Sequence, residues 1–191
     1  MKSVAKALTC LICLVALMPI VADAQSDPFG VPDTVWADVA RVNDHTMSIT
    51  ISFFNDEYVV GLAVPLKLDA GVNKIVADSV VYTGGRVAEA EWAYPGFRPD
   101  TAIQCVTLGM IANIGPTDHR LNPGKGRVAT IFVSSLDGSK IENFTVDTTT
   151  TDPGNQLMAV SHRYQGDPPD TVAVDITGRT IFPQWVIRYE K

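Results

Sequence analysis

Apolar and polar residues alternate with a period of two along most of this chain. In HTMSITISFF, Met47, Ile49, Ile51 and Phe53 fall on one face, and Thr46, Ser48, Thr50 and Ser52 on the other. In YVVGLAVPLKLDA, Val60, Leu62, Val64, Leu66 and Leu68 share a face. Alternation of this length predicts half-buried β-strands, not helices. Pro65 lies on the opposite face of the second run and lacks a backbone donor, which predicts a sheet edge or a bulge. Further strands are predicted over 34–42, 74–82, 102–111, 127–136, 141–149, 156–164, 171–177 and 180–189. Turn signals separate them: Asn55-Asp56, Gly84-Gly85, Asp137-Gly138, Asp152-Pro153-Gly154 and Gly166-Asp167-Pro168. The Asp-Gly between GRVATIFVSSL and SKIENFTV is the best hairpin signal. No segment carries an amphipathic helical pattern of three turns. Short strands at near-regular spacing predict an all-β chain folded as two packed antiparallel sheets of about ten strands.

One short pattern recurs. Pro32-Asp33-Thr34-Val35-x-x-Asp38-Val39 is echoed by Pro169-Asp170-Thr171-Val172-x-x-Asp175-Ile176. The similarity stops there, and a Pro-Asp turn followed by β-branched residues accounts for it without a duplication.

The first residues change the picture of where the chain works. Lys2 and Lys6 precede an apolar run, Ala7 to Leu17, then Pro19 and the small-x-small site Ala22-Asp23-Ala24. Residues 1–24 therefore read as a secretory signal peptide. Their apolar run is too short to span a bilayer as a mature helix. QSDPFGVPD, residues 25–33, is a short leader, and 34–191 is one domain. Cleavage would leave 167 residues with 13 basic and 20 acidic side chains, a net charge of −7. With no basic run, nucleic acid and anionic membrane surfaces are not expected partners. Only Cys105 would survive cleavage, so an intrachain disulfide is excluded, and in AIQCVTLGM it reads as a small buried group. The expected location is secreted, periplasmic or cell-surface, without membrane insertion once the signal is removed.

The stretch SITISFFNDEYVVGLAVPLKLDAGVNKIVADSVVYTGGRV resembles the front half of cohesin-like domains. There a strand ending in Asn or Asp leads into a small-apolar strand, matched here by Val59, Gly61, Leu62, Val64, Leu66 and Asp69. NPGKGRVATIFVSS, residues 122–135, resembles a second strand motif of the family, with its aromatic, Phe132, one place early. The resemblance covers roughly residues 34–190. It implies a jelly-roll β-sandwich of nine to ten strands, shared with carbohydrate-binding modules. It also implies non-catalytic docking outside the cytoplasm, in the best-known cases onto calcium-bearing dockerin modules. Fold analogy does not by itself fix activity. The chain departs from cellulosomal practice in being one domain without scaffold repeats or Thr/Pro linkers. It lacks a D-x-[DN]-x-[DN]-G loop, so it is not the dockerin side.

Catalytic signals are sparse. His45, His119 and His162 have no zinc-site spacing, and no nucleophile elbow accompanies Asp118-His119-Arg120. GKG at 124–126 lacks the spacing of a phosphate-binding loop. Glu89 and Glu91 alternate on an expected strand as a carboxylate pair would in a glycosidase. Asp147 and Asp152 flank TTTT and could gather calcium ligands, although a solvated Thr-rich edge is the simpler reading. No catalytic residue, metal site or cofactor is predicted. EWAYPGFRPD, residues 91–100, is the one candidate binding segment. Trp92, Tyr94, Phe97, Arg98 and Asp100 meet the needs of a sugar site, where rings stack on apolar sugar faces and charges bind hydroxyls. The competing account makes the segment a bent connector whose rings plug one end of the core. The expected partner is accordingly an extracellular protein (a dockerin-like module or a second copy of the chain) or a polysaccharide.

Overall fold

The structure, a computed structural model, describes residues 27, 30–92, 94–112, 119–149, 156–161 and 180–190. The expected signal peptide, the strand expected over 171–177 and the second Pro-Asp-Thr-Val echo lie outside the described residues. Eleven strands and one helical turn are found among the described residues: β1 (Thr34–Asn43), β2 (Thr46–Asn55), β3 (Val59–Asp69), β4 (Ile75–Val81), α1 (Arg86–Glu89), β5 (Tyr94–Asp100), β6 (Cys105–Ile111), β7 (Gly124–Ser135), β8 (Thr145–Thr148), β9 (Met158–Ser161), β10 (Thr180–Ile181) and β11 (Gln184–Tyr189). They form a sandwich. Sheet 1 runs β11-β1-β2-β7-β4, and sheet 2 runs β10-β9-β3-β6-β5, with β8 also pairing β3. Pairing is antiparallel except where β11 runs parallel to β1, from Thr34 opposite Gln184 to Val39 opposite Tyr189. The strand expected over 180–189 is split at Phe182-Pro183 into β10 and β11, which belong to different sheets.

The period-two pattern holds where it is strongest. Met47, Ile49, Ile51 and Phe53 of β2 all point into the core, as do Leu62, Val64, Leu66 and Leu68 of β3. Val60 is only partly buried against that core, and Val59 beside it is fully buried, where the β3–β9 register shifts between Val59 and Gly61. Val35, Ala37 and Val39 from β1, Ile131 and Val133 from β7, and Val106, Leu108 and Met110 from β6 complete the two inner faces.

Three prolines show how the sheets accommodate a missing donor. β3 is a central strand, so Pro65 is not at an edge as expected. The amides of Leu68 and Val59 fix which residues face which neighbour: Leu68 donates to Gln104 at the start of β6, and Val59 to Leu121 on the other side. Odd-numbered residues of β3, Pro65 included, therefore direct their backbone toward β8 and β9. Pro65 falls where β9 pairing has ended at Ala63 and β8 pairing begins only at Leu66. Among the described residues, the missing donor falls where no ladder pairs with that side of β3. Residues 94–100, expected as a bent connector, form edge strand β5 instead. Pro95 and Pro99 stand opposite Met110 and Val106, whose backbones face β3, so the proline nitrogens face the open side of the edge.

Asp137-Gly138 makes a tight turn, with Asp137 Oδ1 accepting from the Ser139 amide at 2.9 Å and Ser135 Oγ at 2.7 Å. It is not a hairpin. The following strand is shortened to β8 and crosses to pair with β3 in the other sheet. Between the two, Ile141 is fully buried and its carbonyl accepts from Arg41 Nη2 at 2.6 Å.

One end of the sandwich is tied by Arg86, the first residue of α1. Its Nη1 donates to the carbonyls of Phe53 and Gly124 at 3.0 Å each and to Asn55 Oδ1 at 2.8 Å, and its Nη2 to the Asn122 carbonyl. Asn55 is fully buried and donates onward to the carbonyls of Glu57 and Asn122. One guanidinium thus joins the end of β2, the start of β7 and α1. Arg86→Met removes this donor from the Phe53 and Gly124 carbonyls and from Asn55 Oδ1, while the Asn122 carbonyl keeps Asn55, and is expected to cost about 2–4 kcal/mol in urea unfolding, with Arg86→Lys recovering part of it. A change within about 0.5 kcal/mol would show that water replaces the guanidinium freely.

Candidate functional site

The two outer faces of the sandwich differ in chemistry. On sheet 1, Thr46, Ser48, Thr50 and Ser52 of β2 lie beside Ser134, Phe132 and Thr130 of β7. Thr50 and Thr130 hydroxyls meet at 3.3 Å, and the Ser48 hydroxyl reaches the Ala40 carbonyl, so this face hydrogen-bonds much of itself. On sheet 2 the register across β3, β6 and β5 places Ala63, Gly109 and Gly96 in one row. The next row is Pro65, Thr107 and Arg98, and the one after is Lys67, Cys105 and Asp100. Gly109 is exposed, and a Cβ built there would meet no heavy atom within 4 Å. Exposed Ile111 lies at one end of the face, and Lys67, Arg98 and Asp100 at the other. Among the described residues this face therefore exposes an apolar end at Ile111, Gly109 in the middle and a charged end at Lys67, Arg98 and Asp100, while Pro65 and Cys105 are buried on it.

The candidate residues of 91–100 are divided by the fold. Glu91 adopts a left-handed φ of 55°, which turns Trp92 inward. Trp92 is 6% exposed, packs in the core and donates from Nε1 to the His119 carbonyl at 2.7 Å. Phe97 is half-buried against the same core. Arg98 and Asp100 are exposed on the sheet 2 face, and Asp100 Oδ1 accepts from the amides of Ala102 and Ile103. The Tyr94 side chain lies outside the described residues; its backbone opens β5 opposite Ile111. Burial of Trp92 favours the plug over the stacking platform, because the ring has no free face to offer a sugar.

The carboxylates of Glu89 and Glu91 are not on a strand. Glu89 closes α1 and Glu91 follows it in the left-handed turn. They line an open cleft of about 600 Å³ with Arg86, His119, Arg120 and Lys125, where His119 Nδ1 lies 3.8 Å from Glu91 Oε2. Among the described residues the cleft carries no hydroxyl or thiol nucleophile. His162, Asp118 and Asp152 lie outside the described residues. Asp147 is exposed on β8, and Cys105 is buried, its thiol 3.4 Å from the Ile103 carbonyl.

Sequence spacing marked no metal site, yet the fold gathers four carboxylates. Asp27 and Asp33 of the leader meet Asp56 and Glu57 of the β2–β3 turn, with one oxygen from each within 4.8 Å of all the others. The antiparallel pairing that sets Thr34 opposite Phe54 brings these distant residues together, which no linear motif records. The Val31 amide donates to Asp56 Oδ2 at 2.7 Å, and a Cβ on Gly30 would fall 2.2 Å from that oxygen, so any larger residue there would displace the Asp56 carboxylate. Burial, aided by the charges of Asp27 and Asp56, pushes the Asp33 carboxyl up to about 7. Burial, then the Asp56 carboxyl and the charge of Asp33, pushes Glu57 up to about 9. The nearby Glu57 carboxyl and Asp56 amide pull the Asp33 carboxyl the other way, against the larger effect of burial.

For Trp92, truncation to alanine is expected to cost roughly 3–5 kcal/mol in urea unfolding, from the lost volume and the unpaired His119 carbonyl. A cost within about 0.5 kcal/mol would place the ring at the surface and revive the sugar platform.

No protein-family model and no curated protein matches the sequence. Solved structures match the fold. A cohesin in a type I cohesin–dockerin complex from Clostridium thermocellum aligns with a TM-score of 0.53 and 9% identity, over 83% of this chain and 99% of that one. The second type II cohesin module of the ScaA adaptor scaffoldin of Acetivibrio cellulolyticus aligns at 0.50 and 13% identity, over 84% and 95%. A form of that module with its long C-terminal linker aligns at 0.51 and 12%, over 81% and 86%. Identity this low speaks to architecture alone. Among the described residues no helix is long and apolar enough to cross a membrane. In architecture the chain is a cohesin-like β-sandwich domain.

Proposed function

We propose that this chain is a non-enzymatic docking module that binds a protein partner through the outer face of sheet 2. The observation that carries the reading is the contrast between the two faces. On sheet 1 the Thr50 and Thr130 hydroxyls bond each other, whereas sheet 2 presents Ala63, Gly109 and Gly96 in a row, with open space above Gly109 among the described residues. The missing side chain at exposed Gly109 lets a partner approach closely, with Ile111 as apolar contact and Lys67, Arg98 and Asp100 to fix orientation. Solved cohesins of the same fold include one in complex with a dockerin, which supports a dockerin-like module as the partner. The reading includes export, with residues 1–24 as the signal and the partner met outside the cytoplasm.

Two single-arginine variants separate the faces. Gly109→Arg projects a long cation over the middle of sheet 2, and because its Cβ has open space and no positive φ is needed, folding is expected to be unaffected. Ser48→Arg does the same over sheet 1. In affinity capture from the exported fraction of the source cells, wild type and Ser48→Arg are expected to retain the same partner. Gly109→Arg should bind it at least about tenfold more weakly, a loss of roughly 1.4 kcal/mol. Retention by Gly109→Arg with loss by Ser48→Arg would move the docking surface to sheet 1 and refute the reading.

A further inference from the structure

We propose that Asp27, Asp33, Asp56 and Glu57 form a calcium site that fastens the N-terminal leader to the β2–β3 turn. The donor set is all oxygen and all carboxylate, which selects a hard cation, and the absence of His and Cys disfavours zinc or copper. The four donor atoms lie within 4.8 Å of one another, close enough for one calcium ion at about 2.4 Å from each to reach all four. Magnesium, at about 2.1 Å with near-ideal octahedral geometry and several retained waters, suits a buried four-carboxylate cluster less well.

A second observation points to a ligand independently of the clustering. Asp33 is 1% exposed, and neither of its carboxylate oxygens has a hydrogen-bond partner. Both oxygens of Glu57 and Oδ1 of Asp56 are likewise buried and unsatisfied. Buried polar side chains are normally paired, and buried carboxylates without partners are among the most costly groups a fold can hold. Arg86 is near enough to Asp33 for their charges to interact. Its Nη donors, however, serve three backbone carbonyls and Asn55 Oδ1. A divalent ion in the cluster supplies the countercharge and the electrophile that the unsatisfied oxygens lack.

The position gives the ion a structural task. The Asp33 carbonyl accepts from the Gln184 amide at 2.8 Å, where β11 begins its parallel run beside β1. Holding Asp33 therefore holds the closing strand of sheet 1 as well as the leader. Calcium available outside the cytoplasm, at about the millimolar level that extracellular modules are tuned to, would fill such a site after export. This inference stands independently of the docking reading.

The test uses the full-length protein, freed of metal by chelation, in calorimetric titration and thermal unfolding with calcium or magnesium chloride. One calcium per chain is expected to bind. Calcium at about a hundredfold above its Kd should raise Tm by roughly 5–10 °C, and magnesium at the same concentration less. Asp33→Asn and Glu57→Gln should each abolish the calcium-dependent shift. Should Asp33→Asn fail to fold, Asp56→Asn carries the same expectation. An absence of binding heat with a calcium-insensitive Tm in the parent protein would overturn the proposal. So would undiminished calcium binding in the folded variants, or equal stabilisation by magnesium.

Discussion

The register of β3 against β6 is the constraint on which the rest of the molecule turns. With Leu62 opposite Met110 and Val64 opposite Leu108, four large side chains enter the core together. The same register turns Ala63, Pro65 and Lys67 to the opposite face beside Gly109, Thr107 and Cys105, where Lys67 and Gly109 are exposed and Pro65 and Cys105 are buried. A slip of one residue would exchange these sets, burying Lys67 and exposing Leu66. The core and the proposed docking face are therefore two readouts of one alignment. Pro65 tolerates its central position because, among the described residues, neither β8 nor β9 pairs with it, so the partners of β3 on its other side are constrained too.

Much of this architecture is legible in the chain. β1, β2, β3 and β4 lie within a residue or two of their expected bounds, because their alternation is long and each buries one face. The cohesin-like resemblance rests on the same stretch, and the structure carries that fold. What the sequence left obscure depends on partners. Residues 94–100 look like a connector because two prolines break the strand pattern. They pair as a strand because an edge leaves one side of the backbone unclaimed. Asp137-Gly138 is a turn in either reading, but whether the next strand returns to its own sheet or crosses to the other is decided by the packing of Ile141, not by the dipeptide.

The candidate site was less legible than the fold, for a physical reason. A flat face of Ala63, Gly109 and Gly96 is assembled across three strands, and small residues carry no chemical signature of their own. The aromatic cluster was conspicuous, yet Trp92 and Phe97 are spent on the core. The carboxylate cluster has no linear signature because its members span residues 27 to 57 and meet only when β1 folds back on β2. In each case the informative quantity is juxtaposition, which local sequence does not hold.

The central claim, that sheet 2 is the docking face, is tested most directly by nuclear magnetic resonance. Backbone amide shifts of the isotope-labelled protein would be followed as the captured partner is added. The account predicts that the largest changes fall on Ala63, Lys67, Arg98, Thr107, Gly109 and Ile111, with Ser48, Thr50 and Thr130 unmoved. Changes confined to β2 and β7 would contradict it.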